Sequence, residues 1–290
     1  MNNMPFFGPA GNEDSFFEAG FKDVIEAPAY VASLGLTAYE YQGGHGIRIT
    51  SKKAAELGKK ARENGVRLSV HAPYYISMSS ADEEKRNNSI GYIVRSAQAA
   101  HDMGADRIVV HCGSCSGKDR QWALETAKDT FKRAVEALDA QGLSDIHICP
   151  ETMGKLNQLG TADEVIEICN LDERLIPCID FGHLYARTLG GLATIEDFEA
   201  IFKAIKDKLG TERFYTFHSH FSHIEYTEKG GEKRHLTFND PGYGPDFEIV
   251  AELCIKYGCT PVFICESRGT QAKDAVTMKK IYCEKAGEVI

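Results

Sequence analysis

Residues 108–111 read Ile108-Val-Val-His111, three β-branched apolar residues followed at once by a side chain that can bind a metal. Such a run has the composition of a strand buried on both faces. Five further stretches repeat the plan: Leu68-Ser-Val-His71, Ile146-His-Ile-Cys-Pro-Glu151, Ile176-Pro-Cys-Ile-Asp180, Phe217-His-Ser-His220 and Val262-Phe-Ile-Cys-Glu266. One strand ending on a metal-grade side chain is coincidence. Six in succession, spaced by helix-length segments, require a common cause, and a metal site at one mouth of a barrel supplies it.

Outward from these runs, short β-type segments alternate with amphipathic helices, the pattern of parallel strands joined by helical crossovers. Strands are expected near Phe6–Phe7, Ala38–Tyr41, Arg67–His71, Arg107–His111, Ile146–Glu151, Ile176–Asp180, Phe214–His220 and Pro261–Glu266. Helical periodicity fills the gaps, over Ser51–Asn64, Glu83–Met103, Lys118–Gln141, Thr161–Cys169, Ile195–Leu209 and Asp246–Tyr257. Gly65, Gly104, Gly142, Gly210 and Gly258 follow helix ends, where left-handed caps favour glycine. Eight such units in 290 residues predict an α/β chain folded as a (β/α)8 TIM barrel, a single domain over residues 1–290. The six metal-grade residues then stand at the C-terminal ends of the strands, where barrel active sites form.

Composition agrees with this class. With 43% hydrophobic and 26% charged residues the chain can bury a large core. No segment is long and apolar enough to span a bilayer, and Met1-Asn-Asn-Met-Pro-Phe-Phe-Gly8 lacks a basic region followed by an apolar one, so a cytoplasmic location without membrane association is expected. Nine cysteines, an odd number scattered through apolar runs, suit buried reduced thiols rather than a disulfide framework. The one Cys-x-x-Cys, Cys112 with Cys115, has no second pair to complete a structural zinc site. A formal charge of −9 argues against broad nucleic-acid binding while leaving room for a local basic groove.

Taken singly, each of these residues has a structural reading: a strand-end histidine can be a hydrogen-bonded core residue, and a carboxylate can cap the following helix. Taken together, capping gives no reason for imidazoles and carboxylates to arrive on consecutive strands, whereas a polynuclear site needs N and O ligands from several directions. The segments His71-Ala-Pro-Tyr74, His111-Cys-Gly-Ser114, Pro150-Glu-Thr152, Ile179-Asp-Phe-Gly-His183, His220-Phe-Ser222 and Cys265-Glu-Ser267 resemble the ordered motifs of the endonuclease IV family along nearly the whole chain. That resemblance implies a TIM barrel binding a cluster of three zinc ions and cleaving DNA 5′ to abasic sites. It implies His71, His111 and Glu151 as ligands of one zinc. Glu151, Asp180, His220 and Glu266 become those of a second, with Glu151 bridging, and His183 and His235 two of those of a third. Glu151 and Glu266 become the catalytic carboxylates, Glu266 as a proton acceptor for the attacking water. Three or more imidazoles favour zinc over manganese.

The chain departs from the family at the third position. The family has Asp-x-His after the seventh strand, and this chain reads Lys233-Arg234-His235. A protonated lysine has only donors and repels a cation. Two zinc ions are therefore expected, with the third weak, absent, or completed by Glu232, Asp240, His223 or water. His218 shares a strand face with His220 by the two-residue period, and His220 is preferred because it lies nearer the strand end.

Substrate contacts are expected from Tyr74 and Arg48. The glycines of Gln42-Gly-Gly-His-Gly-Ile-Arg48 would permit close backbone approach to a phosphate, or merely form a flexible turn. Tyr74 and Tyr75 would stack on an unpaired sugar or base, or pack on the barrel rim. Lys229, Lys233, Arg234 and His235 form the most basic local stretch, suited to a DNA backbone or to a solvated loop. The expected partner is abasic DNA. A small sugar or sugar phosphate is the alternative, because Glu151, Asp180, His220 and Glu266 also resemble the one-metal site of isomerases and epimerases with the related xylose isomerase-like barrel. His71 and His111 discriminate the two, since they add an ion position that an isomerase does not need.

Overall fold

The computed structural model describes residues 4–287. Its eight barrel strands are all parallel: β1 (Phe6–Pro9), β2 (Ala38–Gln42), β3 (Arg67–His71), β4 (Arg107–His111), β5 (His147–Glu151), β6 (Cys178–Asp180), β7 (His218–Phe221) and, eighth around the barrel, β10 (Val262–Cys265). They run in the order β1-β10-β7-β6-β5-β4-β3-β2, and a parallel bridge from Ala10 to Glu40 with Gly11 N donating to Glu40 O (2.9 Å) brings the two ends together. This closure demands a glycine. A Cβ on Gly8 would lie 1.7 Å from the Ala38 carbonyl oxygen, so no other residue fits where β1 meets β2. An antiparallel hairpin, β8 (Ile224–Thr227) and β9 (Gly231–His235), forms a second sheet, bridged through Gly231 to Lys155 beyond the end of β5.

After α1 (Asp14–Glu18) and α2 (Ala27–Ser33), the longer helices follow from their caps. In α3 (Ser51–Asn64), Thr50 accepts from Lys53 N, and Gly65 ends the helix at φ 66°. In α4 (Glu83–Met103), Asp82 accepts from Glu84 N and Lys85 N, and Gly104 closes at φ 71°. α6 (Ala162–Cys169) opens on a Thr161/Glu164 capping box. α5 (Arg120–Ala140), α8 (Ile195–Leu209), α10 (Phe247–Tyr257) and the C-terminal α11 (Gln271–Ala286) complete the outer ring. Ile108, Val109 and Val110 of β4 are fully buried, as a strand between core and helices requires.

One expected strand is shorter than its composition suggests. Residues 214–217 read Phe-Tyr-Thr-Phe, yet Phe214 and Tyr215 lie in a short helix, α9 (Thr211–Tyr215), and β7 begins only at His218. Gly210 takes φ 81° and ψ 173° rather than a left-handed cap, which lets α9 restart directly after α8. Phe214 then packs edge-on against Phe202 of α8, with ring centroids 6.1 Å apart, so tertiary packing overrides the β propensity of the run.

Candidate metal centre

The strand ends converge as the sequence predicts. Glu151, at the end of β5, lies at the middle of the group and is 1% exposed. Its Oε2 faces His111 Nε2 at 3.2 Å and His71 Nε2 at 3.5 Å; its Oε1 faces His220 Nδ1 at 3.0 Å and His183 Nδ1 at 3.4 Å. A carboxylate flanked by imidazoles on both oxygens has the form of a bridge between two ion positions. Glu151, Asp180, His220 and Glu266 present ligand atoms within 4.8 Å of one another, as do His71, Glu151 and His220. Of the two β7 histidines, His220 is the one that reaches this group through Nδ1, while His218 turns its Nε2 to Glu40 at 3.0 Å.

Short local bonds aim the rings. His71 Nδ1 lies 2.7 Å from Ala72 O, leaving Nε2 to face Glu151. His183 sits in α7 (Phe181–Arg187), a helix capped by Asp180, with Nδ1 2.9 Å from Thr152 O and Nε2 3.6 Å from Glu232 Oε2. His235 Nδ1 lies 2.8 Å from Ser222 Oγ. Ring nitrogens held by backbone or hydroxyl oxygens in this way leave the opposite nitrogen for a metal.

The third group is rebuilt around the Lys233 departure. Across the hairpin Glu225 opposes Arg234 and Tyr226 opposes Glu232, so Lys233 is the extra residue of a β-bulge. The bulge breaks the two-residue alternation and turns Lys233 and Arg234 outward, where both bond Glu225 at 2.6 Å. Glu232 and His235, three residues apart, now share the inner side with His183, their ligand atoms within 4.8 Å. Gly154 makes room for this, since a Cβ there would lie 2.6 Å from Glu232 Cβ and 3.1 Å from His183 Cδ2. Of the other expected substitutes, His223 stacks on Phe238 and Asp240 accepts from Thr237, so neither joins the group.

Electrostatics match a cation-binding site. Burial would raise the Glu151 carboxyl, but His220, His111 and His183 hold it well below its ordinary value. Burial raises Asp180; His183 opposes the rise, while the Glu266 and Glu151 charges add to it. Burial opposes charge on His71, yet Glu151, Glu40 and Glu266 lift it from 6.5 to about 9. His183 and His220 rise in the same direction against the same opposition, His183 chiefly through Asp180 and His220 chiefly through Glu266. Without a cation, protons on imidazoles therefore balance the carboxylates; a bound metal ion would replace those protons. Glu151 Oε2 and Asp180 Oδ2 are buried and lack an aligned hydrogen bond, the condition a bound cation would relieve. The donor set, five imidazoles and four carboxylates, fits divalent ions of the zinc type.

A cavity of about 390 Å³ opens over the group, walled by His71, His111, Glu151, His183, His235 and Glu266 together with Tyr74, Lys155 and Glu232. Tyr74 is half exposed and meets His45 Nε2 at 3.2 Å. Arg48 instead lines an adjoining recess with Tyr41, Gln42 and Tyr74. The glycines before it serve the protein's own packing. A Cβ on Gly43 would lie 2.5 Å from His71 O, and one on Gly44 2.1 Å from the Tyr74 ring. Tyr75 packs against Tyr92 on the rim, with ring centroids 4.8 Å apart. The basic stretch is partly neutralised, because Lys233 and Arg234 share Glu225. No disulfide forms among the described residues, and buried Cys112 donates to Glu151 O at 3.3 Å. A larger cavity of about 670 Å³ at the opposite barrel mouth is walled by Arg67, Asp106, Arg107 and Arg174 and holds ion pairs rather than converging ligands.

Sequence reasoning missed Glu40 and Lys155. Glu40 had a signal: in Ala38-Tyr-Glu-Tyr-Gln42 the two-residue period places a carboxylate on the barrel-interior face between two outward tyrosines. Lys155 had none, as it stands in the β5–α6 loop amid uncharged neighbours.

Comparison with known proteins places these features in context. A family model described as xylose isomerase-like TIM barrel matches residues 28–281. An uncharacterized protein of Methanocaldococcus jannaschii is 32% identical over 283 residues, 97% of this chain and 98% of its own. A probable endonuclease 4 of Acholeplasma laidlawii is 25% identical over 248 residues, 81% of each chain. Among solved structures, a D-tagatose 3-epimerase-like protein superposes with a TM-score of 0.73 at 20% identity, covering 97% of this chain and 98% of that one. Endonuclease IV from Thermus thermophilus superposes with a TM-score of 0.67 at 17% identity, covering 97% and 99%. No helix among the described residues is long and apolar enough to cross a membrane.

Proposed function

Because the chain belongs to the xylose isomerase-like TIM-barrel family and carries this donor set at its strand ends, we propose that it is a zinc-dependent phosphodiesterase acting on DNA at abasic sites. The observation that carries the reading is the pair His71 and His111 on Glu151 Oε2, opposite the Oε1 edge that faces His220 and His183. A sugar epimerase with one metal has use for Glu151, Asp180, His220 and Glu266 and none for a second imidazole pair. The hairpin group of His183, Glu232 and His235 adds a third position on the same side of the cavity.

Phosphodiesters resist hydrolysis because their anionic oxygens repel nucleophiles and the alkoxide leaves poorly. Divalent ions, when bound by these ligands, would supply positive charge for those oxygens and acidify water. Glu151 keeps the first two ligand sets together, each oxygen facing one set. Glu266 stands at the cavity wall, 16% exposed on its side chain and 3.6 Å from His220 Nδ1, placed to accept a proton from attacking water. Lys155 and Tyr74 border the same opening, a cation for the DNA backbone and an exposed ring for an unstacked sugar or base. Arg48, one recess away, would contact phosphate further along the strand.

The test is cleavage of an oligonucleotide duplex holding one abasic site by zinc-loaded protein, with ketohexose epimerisation run in parallel. A nick 5′ to the lesion that chelator abolishes supports the reading. Epimerisation without any nick replaces it with the sugar-enzyme reading, for which the four-residue set around Glu151 suffices.

A further inference from the structure

A carboxylate with no exposed surface lies beneath the metal centre, inside the barrel. Glu40 of β2 reaches across the barrel axis to β7, three places away in the strand order. Its Oε2 accepts from Ser69 Oγ at 2.8 Å and meets His218 Nε2 at 3.0 Å; its Oε1 accepts from Gln42 Nε2 at 3.2 Å. The same Oε1 lies 3.0 Å from His220 Nε2. The His220 ring is thus bracketed, with Nδ1 3.0 Å from Glu151 and Nε2 over Glu40. His220 Nε2 is fully buried and has no aligned hydrogen bond among the described residues, so Glu40 Oε1 is the acceptor within reach of a proton on that nitrogen. Neutral oxygens orient His71 and His235, and His183 Nδ1 has both Thr152 O at 2.9 Å and Asp180 Oδ2 at 3.0 Å; His220 Nε2 lies against the buried charge of Glu40.

From this geometry we infer that Glu40 is a positioning residue for the metal centre, holding His220 with its proton on Nε2 so that Nδ1 is the ligand atom. The inference rests on the metal-centre reading above. Ser69 and His218 anchor Glu40, and Glu40 in turn fixes both the rotation and the tautomer of His220. A carboxylate on the far nitrogen also makes an imidazole a stronger donor, and loss of such a partner weakens metal affinity by about 10–100-fold.

The experiment measures zinc affinity by competition with a chromophoric chelator for wild type, Glu40→Gln and Ser69→Ala, alongside thermal melts of each protein stripped and zinc-loaded. Glu40→Gln keeps the side-chain shape and removes the charge. It should weaken the His220 position about 10–100-fold and shrink the zinc-induced rise in Tm, read as loaded minus stripped for each protein because the stripped variant also loses the pairing of Glu40 with His218 and His220. Ser69→Ala should act in the same direction and more weakly. In zinc-loaded wild type, ¹⁵N spectra of the histidine rings should show the His220 proton on Nε2, a readout that stands even where Glu40→Gln fails to fold. Wild-type zinc affinity in Glu40→Gln, or a proton on Nδ1 of His220, overturns the role given to Glu40 and leaves the centre standing. Wild type that takes up no zinc overturns the centre itself, and the role of Glu40 with it.

Discussion

Replacing Glu232 and replacing Lys233 should have opposite consequences to those suggested by sequence spacing alone. The family pattern puts the anionic ligand two residues before His235, at Lys233, and by that logic Lys233→Asp would restore a missing zinc site. The β-bulge moves the inner side to Glu232, whose carboxylate lies 3.6 Å from His183 Nε2 and 4.0 Å from His235 Nε2. A four-ligand zinc site contributes about 10–16 kcal/mol, so one ligand is worth about 3 kcal/mol, or roughly 100-fold in affinity. Glu232→Ala should therefore lower zinc stoichiometry by one equivalent at micromolar free zinc, leaving the Glu151 positions filled. Lys233→Asp should leave stoichiometry unchanged, because Lys233 points outward to Glu225. It should cost less than about 1 kcal/mol of stability through the lost exposed ion pair and the new repulsion. Elemental analysis after equilibrium dialysis reads both. A zinc equivalent gained by Lys233→Asp, or retained by Glu232→Ala, would refute the bulge argument.

Three other outcomes follow from the same geometry. His111→Ala should remove the ion position on the Oε2 edge of Glu151 and reduce abasic-site cleavage by orders of magnitude, with circular dichroism unchanged; unaltered metal content and cleavage would take His111 out of the site. In stripped protein, His71 is raised from 6.5 to about 9. Its contribution, about 3 kcal/mol at 1.4 kcal/mol per tenfold, is fully present below pH 6.5 and disappears as pH rises through 9. Tm of the chelated protein should accordingly fall over that window while zinc affinity climbs, and a chelated Tm that is flat or rising there would contradict the assigned charges. Gly8→Ala should destabilise the fold by more than about 3 kcal/mol, because the new Cβ would meet the Ala38 carbonyl at 1.7 Å in the barrel wall; a chemical-denaturation midpoint near wild type would show that β1 and β2 can separate cheaply.

The barrel was legible because its information is local. β-branched runs such as Ile108-Val-Val-His111 and helix ends marked by Gly65, Gly104 and Gly258 each declare themselves within a few residues. The strand-end donors were legible for the related reason that parallel strands deliver their last residues to one mouth. What stayed hidden depended on register or on distant partners. Nothing near Phe214 says that its ring packs on Phe202 and leaves the strand. Lys233 looked like a lost ligand because spacing along β9 was counted without the bulge, which exists only in the pairing with β8. The glycines at 43 and 44 left a phosphate approach and a flexible turn equally open, because their neighbours, His71 O and the Tyr74 ring, lie about thirty residues on. Glu40 was visible as a charge on an inward strand face, but its partners His218 and His220 are 178 residues or more away.

Incubation of the zinc-loaded protein with a duplex carrying a single abasic site tests the central claim most directly, with product ends resolved on a sequencing gel. A metal-dependent nick on the 5′ side of the lesion, absent in undamaged duplex and in the His111→Ala variant, is the result predicted. Intact duplex from protein shown to carry at least two zinc equivalents would contradict it.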